Sequence, residues 1–474
     1  MESAIVGRKN EIKQLDRIVA SPRAELVAVY GRRRVGKTFL VKEYFHNDFD
    51  FYVTGVYNGS RRVQLQTFAR MLSEKTGTKV GKLSSWIDAF SALKQYLESL
   101  SNQRIIVFFD ELPWFDTHAG KFLQAFEWFW NTYGSTKSNL KMIVCGSATT
   151  WMTDKFISGK GGLYNRTTER IYLRPFTLAE AESLLLANDI MWDRSLVLQA
   201  YMAVGGVPFY LMMLQGDLSV DANIDRLYFA EGAPLRQEFN FLFQSLFSDS
   251  ELYSAIVNAI ASKNIGITRA DIVKLCGISD NGALTRALNN LISCDFIRKY
   301  NAFGKKKKES MYQLTDLAIL FHKRFVENYD GKDSMHWTNM IDNPARRAWT
   351  GIAFEQVCLL HIPQIKRSLS IAGVQADVSA WRFVGDEYYS GFQIDMIIER
   401  RDRVINLCEM KYSDAPFEIT PSYATQLRER RATFKAVTGT RSALHLTMIS
   451  PYGLRRNASA GIANQIITLD DLFS

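Results

Sequence analysis

Two stretches of this chain bring together residue types that handle phosphate. Residues 28–40 read AVYGRRRVGKTFL, with the spacing Gly31-x-x-x-x-Gly36-Lys37-Thr38. This is the pattern of a loop whose backbone N–H groups converge on an anion. Glycine is needed at both ends of such a loop, because a Cβ there would close the cradle. A helix beginning near Gly36 aims its positive end at the phosphates, Lys37 reaches the β and γ phosphates, and the Thr38 hydroxyl suits Mg²⁺. The second stretch, IIVFFDELPW, is an apolar run ending in Asp110 and Glu111. Asp110 is expected to hold the magnesium with Thr38, and Glu111 to polarise the attacking water. Nucleotide binding is thus expected along Gly31, Arg32, Arg33, Arg34, Val35, Gly36, Lys37 and Thr38, with ATP and Mg²⁺ as cofactors.

Three adjacent arginines repel one another. Phosphate beneath the loop would relieve that repulsion; contact of Arg32 to Arg34 with a lid or another domain is the other reading. A third apolar run ends VCGSATT, which puts Ser147 beside Asp110 if the sheet interleaves these strands. Its hydroxyl would then sense the γ-phosphate; a cap on the next helix is the alternative. Arg166, in GGLYNRTTER, is a candidate arginine finger acting in cis or from a second copy of the chain, with Arg170 as a substitute. Pairing with surface acids would make either residue ordinary.

Far downstream, Asp395 lies in the apolar run FQIDMIIE, and LCEMKY follows with Glu409 and Lys411 one residue apart. Strand alternation puts Glu409 and Lys411 on one face. Two carboxylates and a lysine on adjoining strands can hold a divalent ion and orient water against a phosphodiester. A second divalent metal is therefore a candidate cofactor here.

The elements that must position these groups follow from patterning. Up to about residue 175, β-rich apolar runs alternate with helical text, which predicts a mostly parallel sheet covered by helices. The segment after Thr177 turns helical, opening on Thr177 with Glu180 three residues later, a capping-box spacing. Residues 249–325 carry two helices around a Gly-containing turn and then two short strands around GKKKKE, a winged helix-turn-helix pattern. Leu284, Leu288, Leu291 and Ile292 should face the core, leaving Asn281, Thr285, Arg286 and Asn289 outward for base edges or phosphates. Lys305, Lys306, Lys307 and Lys308 would form the wing tip against a phosphate backbone. Double-stranded DNA is the expected partner of this face, and a protein partner is the alternative.

The P-loop motifs resemble those of the archaeal-type ATPase family, within the additional-strand, catalytic-Glu class related to AAA+ proteins. The likeness rests on VGRKNEIKQL, YGRRRVGKT, the Asp-Glu pair, CGSA, LRPF and GGVPFYL. It covers roughly the first half of the chain. The lid text GGVPFYL lacks the arginine that AAA+ proteins place near the γ-phosphate. The last quarter is similar to the PD-(D/E)xK nuclease superfamily, although Ile394 stands where the namesake proline would be. That resemblance implies a role for Glu355 on a preceding helix and for a later helix bearing Tyr423 and Gln426.

The expected architecture is a multidomain α/β protein. It comprises a P-loop NTPase core over 1–176, a helical lid over 177–248, a winged helix over 249–325, a linker over 326–343 and a restriction-endonuclease-like α/β domain over 344–474. The implied function is a nucleotide-driven switch on DNA, with two rivals: an ATP-gated regulator whose last domain is a binding platform, and an ATP-licensed endonuclease. A length of 474 residues suits about three domains. The 47% hydrophobic and 23% charged residues are the balance of a globular protein without a membrane span. Five scattered cysteines with no C-x-x-C pair argue against a disulfide framework or zinc site. A net charge of +9 is compatible with a polyanionic partner. With no apolar leader at Met1–Ala4, a cytoplasmic location is expected.

Overall fold

The computed structural model describes residues 5–101, 103–147, 151–157, 163, 166–247, 249–304 and 309–474. The chain divides into two compact units, Met1–Arg174 and Pro175–Ser474.

The first unit is built on five parallel strands: β1 (Glu25–Tyr30), β2 (Phe51–Thr54), β3 (Ile105–Asp110), β4 (Leu140–Gly146) and β5 (Glu169–Tyr172). Their order is β2-β3-β4-β1-β5, so β4 lies between the strand leading into the glycine loop and the strand ending in Asp110. Parallel strands need both faces covered, and alternation supplies two apolar faces. Val107 and Phe109 point into a cluster with Phe68, Trp86, Phe90 and Phe126, whereas Ile106 and Phe108 face Leu15, Leu40 and Val41. The first cluster is carried by α3 (Arg61–Thr76), α4 (Trp86–Glu98) and α5 (Phe122–Thr132), the second by α1 (Lys9–Ala20) and α2 (Lys37–Tyr44).

The second unit opens on α6 (Leu178–Ala187), whose cap is the Thr177–Glu180 capping box expected from the sequence, followed by α7 (Arg194–Val204). Next comes a small module of α8 (Ser250–Ala261), α9 (Arg269–Cys276) and α10 (Gly282–Ser293). Its antiparallel strands β6 (Ile267–Thr268), β7 (Ile297–Asn301) and β8 (Ser310–Leu314) pair in the order β6-β8-β7. The last part has α11 (Pro344–Leu360), α12 (Pro421–Thr438) and a five-stranded mixed sheet. Its strands are β9 (Ala376–Gly385), β10 (Ser390–Arg400), β11 (Val404–Met410), β12 (Ala443–Ile449) and β13 (Gln465–Ile467), ordered β13-β12-β11-β10-β9.

Residues 326–343, read from sequence as linker, contain the short helix His336–Asn339. Trp337 is buried there against Phe321 and Phe325. The buried Asp225 carboxylate fixes the segment by accepting from the backbone N–H groups of Trp337 (2.7 Å) and Thr338 (3.1 Å). A polar composition concealed one aromatic anchor. Among the described residues, no helix is long and apolar enough to cross a membrane.

Candidate functional site

The glycine loop has the shape its spacing predicts. Gly31 adopts φ 149°, and a Cβ there would sit 2.3 Å from the Leu173 carbonyl oxygen, so this strand end admits only glycine. Gly36 adopts φ 88° immediately before α2, as does Arg34 at φ 72° within the loop. Arg32 is buried, Arg33 and Arg34 are half-buried, and Val35 packs in the core. The Lys37 side chain is 5% exposed and its ammonium donates to the Arg32 carbonyl at 2.9 Å, which holds it over the loop.

A residue absent from the expected site also shapes the loop. The buried Arg8 donates from its guanidinium to the Val35 carbonyl at 2.9 Å. Its motif, VGRKNEIKQL, was legible as a family signature, but the role was not. Arg8 stands among Lys9, Glu11, Lys13, Asp16 and Arg17, so nothing in the sequence marked it as the buried one.

Because β4 separates β1 from β3, Cys145 and Ser147 fall beside the two acids. The Thr38 hydroxyl donates to Asp110 Oδ1 at 2.9 Å, and the Cys145 thiol donates to the same oxygen at 2.6 Å. Burial, then the neighbouring Asp110 and Glu111 carboxylates, push that thiol well above its ordinary pKa, so it remains a neutral donor. A hydroxyl and a carboxylate in contact are the hard oxygen donors Mg²⁺ takes, so Thr38 and Asp110 fit that ion.

Glu111 stands at φ 48°, a strained conformation for a residue with a side chain. Its Oε2 accepts from the Ser147 backbone N–H at 3.1 Å and from the Ser147 hydroxyl at 2.8 Å. Ser147 therefore holds the Glu111 carboxylate by two hydrogen bonds. Arg166 is exposed and its backbone N–H donates to Leu163; Arg170 donates to the Ile157 carbonyl at 3.3 Å. Residues 148–150 and most of GGLYN lie outside the described residues.

Comparison with known proteins then bears on this unit. Residues 5–214 match the family model of an ATPase domain predominantly from Archaea. Over those residues the chain is similar to an archaeal ATPase domain. An uncharacterized protein of Methanocaldococcus jannaschii is 24% identical over 416 residues, spanning 86% of this chain and 88% of that one. An uncharacterized ATP-binding protein of the same archaeon is 48% identical over 42 residues, 9% of this chain and 71% of its own length. Among solved structures, a Walker-type ATPase of Pyrococcus abyssi aligns with TM-score 0.47 and 18% identity, covering 68% of this chain and 97% of that one.

Phe176 of LRPF and Gly206 of GGVPFYL, from two further motifs that carried the resemblance to the ATPase family, meet in the second unit. The Phe176 N–H donates to the Gly206 carbonyl at 2.6 Å, and a Cβ on Gly206 would lie 2.0 Å from the Phe176 oxygen. Their job is a close backbone approach.

In the three-helix module, Leu284, Leu288 and Leu291 are buried and Ile292 is half-buried, while Thr285, Arg286 and Asn289 are exposed on α10. Asn281, expected on that outward face for base edges or phosphates, is exposed, and its side-chain oxygen accepts from Ala283 and Leu284 and caps the helix. Lys305, Lys306, Lys307 and Lys308 lie outside the described residues. Phe303, at the start of that loop, is docked on the C-terminal sheet. Its N–H donates to the Ala380 carbonyl at 2.8 Å, and its ring lies 5.0 Å from that of Phe434.

The C-terminal acids converge as the spacing suggested. Asp395 sits where the β9–β10 register shifts, between Ile394 and Ile397, and accepts from the Gln393 amide. Glu409 on β11 is held by Lys411 at 2.9 Å, by Arg430 at 3.4 Å and by the Tyr423 hydroxyl at 2.6 Å. Tyr423 thus meets the site, whereas Gln426 is exposed. Arg430, seven residues on and hence on the same helical face, was the member sequence reading missed. Burial first, then Asp395 and Glu409, push the Glu355 carboxyl up to about 8, with Lys411 opposing. Burial, and then Glu409, also raise Asp395, against the hydrogen bond from Gln393. Among the described residues, no three His, Cys, Asp or Glu side chains form a ready metal cluster.

Proposed function

We propose that this protein is a Mg²⁺-dependent ATPase that works as a nucleotide-driven switch on DNA. The observation that carries the reading is the convergence of Thr38 on Asp110 and of Ser147 on Glu111 beside the Gly31–Thr38 loop. Loop amides and Lys37 hold the triphosphate, Thr38 and Asp110 hold the magnesium, and the bound ion neutralises charge on the phosphates. Glu111 polarises the attacking water, and Ser147 keeps its carboxylate aimed. Arg166, exposed and near β5, is the proposed arginine finger, supplied in cis or by a second copy of this chain.

The three-helix module fits a winged helix whose α10 presents Thr285, Arg286 and Asn289 to double-stranded DNA, with the lysines at 305–308 against its backbone. In the C-terminal sheet, Glu355, Asp395, Glu409 and Lys411 fit a nuclease-like site for a second divalent ion. One observation favours a rival in which this domain is a non-catalytic platform: Glu409 is already neutralised by Lys411 and Arg430.

Calorimetry with Mg-ATP tests the ATPase. Lys37→Ala should abolish uptake, and Glu111→Gln should bind ATP yet turn over 10²–10⁴-fold more slowly, the range for general-base loss. Wild-type turnover in both would overturn the assignment. Metal-dependent nicking of plasmid DNA, lost in Asp395→Ala and kept in Lys37→Ala, separates the endonuclease from the platform.

A further inference from the structure

Glu355 and Asp395 line a cavity of about 1020 Å³ inside the second unit, and its opposite wall belongs to the three-helix module. That wall is the turn after α8, with Lys263, together with Arg324 beyond β8. The cavity carries both signs of charge. Lys263, Arg324 and Arg382 are exposed, Lys323 is mostly buried and paired with Glu327, and Glu355 and Asp395 are half-buried. The strand register extends the row: Arg382 on β9 pairs with Gln393 on β10, whose amide donates to Asp395. The next pair along, Phe383 and Phe392, is half-buried and also lines the cavity. From the module side, Arg298 on β7 is close enough to Asp395 for the two charges to interact.

We propose that this cavity receives a single-stranded segment of nucleic acid. Its backbone follows Lys263, Arg324 and Arg382, a base lies against Phe383 or Phe392, and a phosphodiester is carried down to Glu355 and Asp395. The proposal rests on the reading of those acids as a phosphodiester-handling pair. Three features select this ligand. Exposed cations that lead down to a pair of carboxyl groups suit a chain of phosphates, one of which meets a charge-compensating ion. Phe383 and Phe392, which alternate with Arg382 and Gln393 along the strands and pack on one side against Trp381, offer the cavity aromatic surface for an unpaired base. The volume sits at the top of the range of ordinary ligand sites, about 300–1,000 Å³, which admits a few nucleotides of one strand and excludes a paired helix. The module would therefore do more than hold duplex DNA: it would complete the C-terminal site.

The test is fluorescence anisotropy on the full-length chain in EDTA, where binding is read without cleavage. The probes are a labelled thymidine octamer, the same strand annealed to its complement, and labelled thymidine monophosphate. The octamer should bind at least tenfold more tightly than the monophosphate. Its log–log salt slope should be about −2, as expected for three phosphate contacts on a single strand. Arg324→Glu with Arg382→Glu should weaken octamer binding by tenfold or more while leaving the melting of the second unit unchanged, which certifies its fold. Asp395→Asn should tighten it severalfold by removing a repelling charge. Monophosphate binding equal to the octamer, or indifference of the octamer to both charge changes, would overturn the proposal. Octamer binding in a chain that cuts no DNA with any metal would overturn the nuclease reading and leave the cavity assignment standing.

Discussion

His361 gives the second unit a pH dependence that can be worked out in advance. The ring is fully buried; its Nε2 accepts from the Leu178 N–H at 2.9 Å, at the start of α6, and its Nδ1 donates to the Val357 carbonyl at 2.7 Å. Accepting at Nε2 requires a neutral ring. Burial carries its pKa from 6.5 down to about 4, against smaller opposing effects of Val357 and Glu180. Because the folded value is the depressed one, the unfolded chain takes up the proton first as pH falls. Stability is complete above about 6.5 and drains away toward pH 4, at ~1.36 kcal/mol per pH step, for a total of about 3 kcal/mol. His361→Gln removes the titration and keeps a hydrogen-bonding amide. At pH 7.5 it should be less stable than wild type by about 1–3 kcal/mol, from the imperfectly replaced buried hydrogen bonds. By pH 5 the wild type has lost about 2 kcal/mol that the variant keeps, so the difference in melting temperature should shrink by about 4 °C. Scanning calorimetry of both proteins between pH 7.5 and 5 reads this directly. A melting-temperature gap that stays constant across the window, or imidazole ¹⁵N shifts showing a charged ring at pH 6, would refute the reasoning.

Ser147→Ala should leave Mg-ATP binding intact and slow turnover about 10–100-fold, since the lost hydroxyl donates to an ionised group, a bond worth about 1.5–3 kcal/mol; equal turnover in a phosphate-release assay would remove Ser147 as the orienting residue. Arg8→Ala should weaken nucleotide affinity about tenfold by releasing the Val35 carbonyl, as read by calorimetry, with little change in melting of the second unit. Gly31→Ala should abolish nucleotide binding, because the new methyl would meet the Leu173 oxygen at 2.3 Å; retained binding would mean that β5 yields.

What was legible in the sequence was local. Gly31, Gly36, Lys37, Thr38, Asp110 and Glu111 declare themselves because loop geometry and strand ends impose fixed spacings, and the Thr177 cap is a three-residue pattern. The parts that were hidden depend on which strand lies beside which. Cys145 reaches Asp110 only because β4 is inserted between β3 and β1, and strand order is set by packing far along the chain. Arg430 required knowing which face of α12 covers Glu409, and the capping role of Asn281 required knowing that α10 starts at Gly282. The docking of Phe303 on Ala380 joins two segments that sequence reading had treated as separate domains. Such tertiary choices leave little periodic trace.

The same contacts bear on how a nucleotide signal would reach DNA. Within the second unit, Leu178 is tied to His361, and Asp225 is tied to Trp337 and Thr338. Asp221 is tied to Arg346 at 2.7 Å, with both side chains mostly buried, and Phe303 is tied to Ala380. Hydrogen bonds of this buried kind cost about 1–3 kcal/mol each to leave unmade. A typical coupling between distant sites is also only about 1–3 kcal/mol. Opening the second unit internally would break several of these bonds at once, so a coupling of ordinary size cannot drive it. On the proposed function, α10 and the C-terminal acids, tied together within the second unit, would respond to a signal together. That is the behaviour a switch needs if the proposed duplex-binding face and the proposed single-strand cavity are to respond to the same turnover.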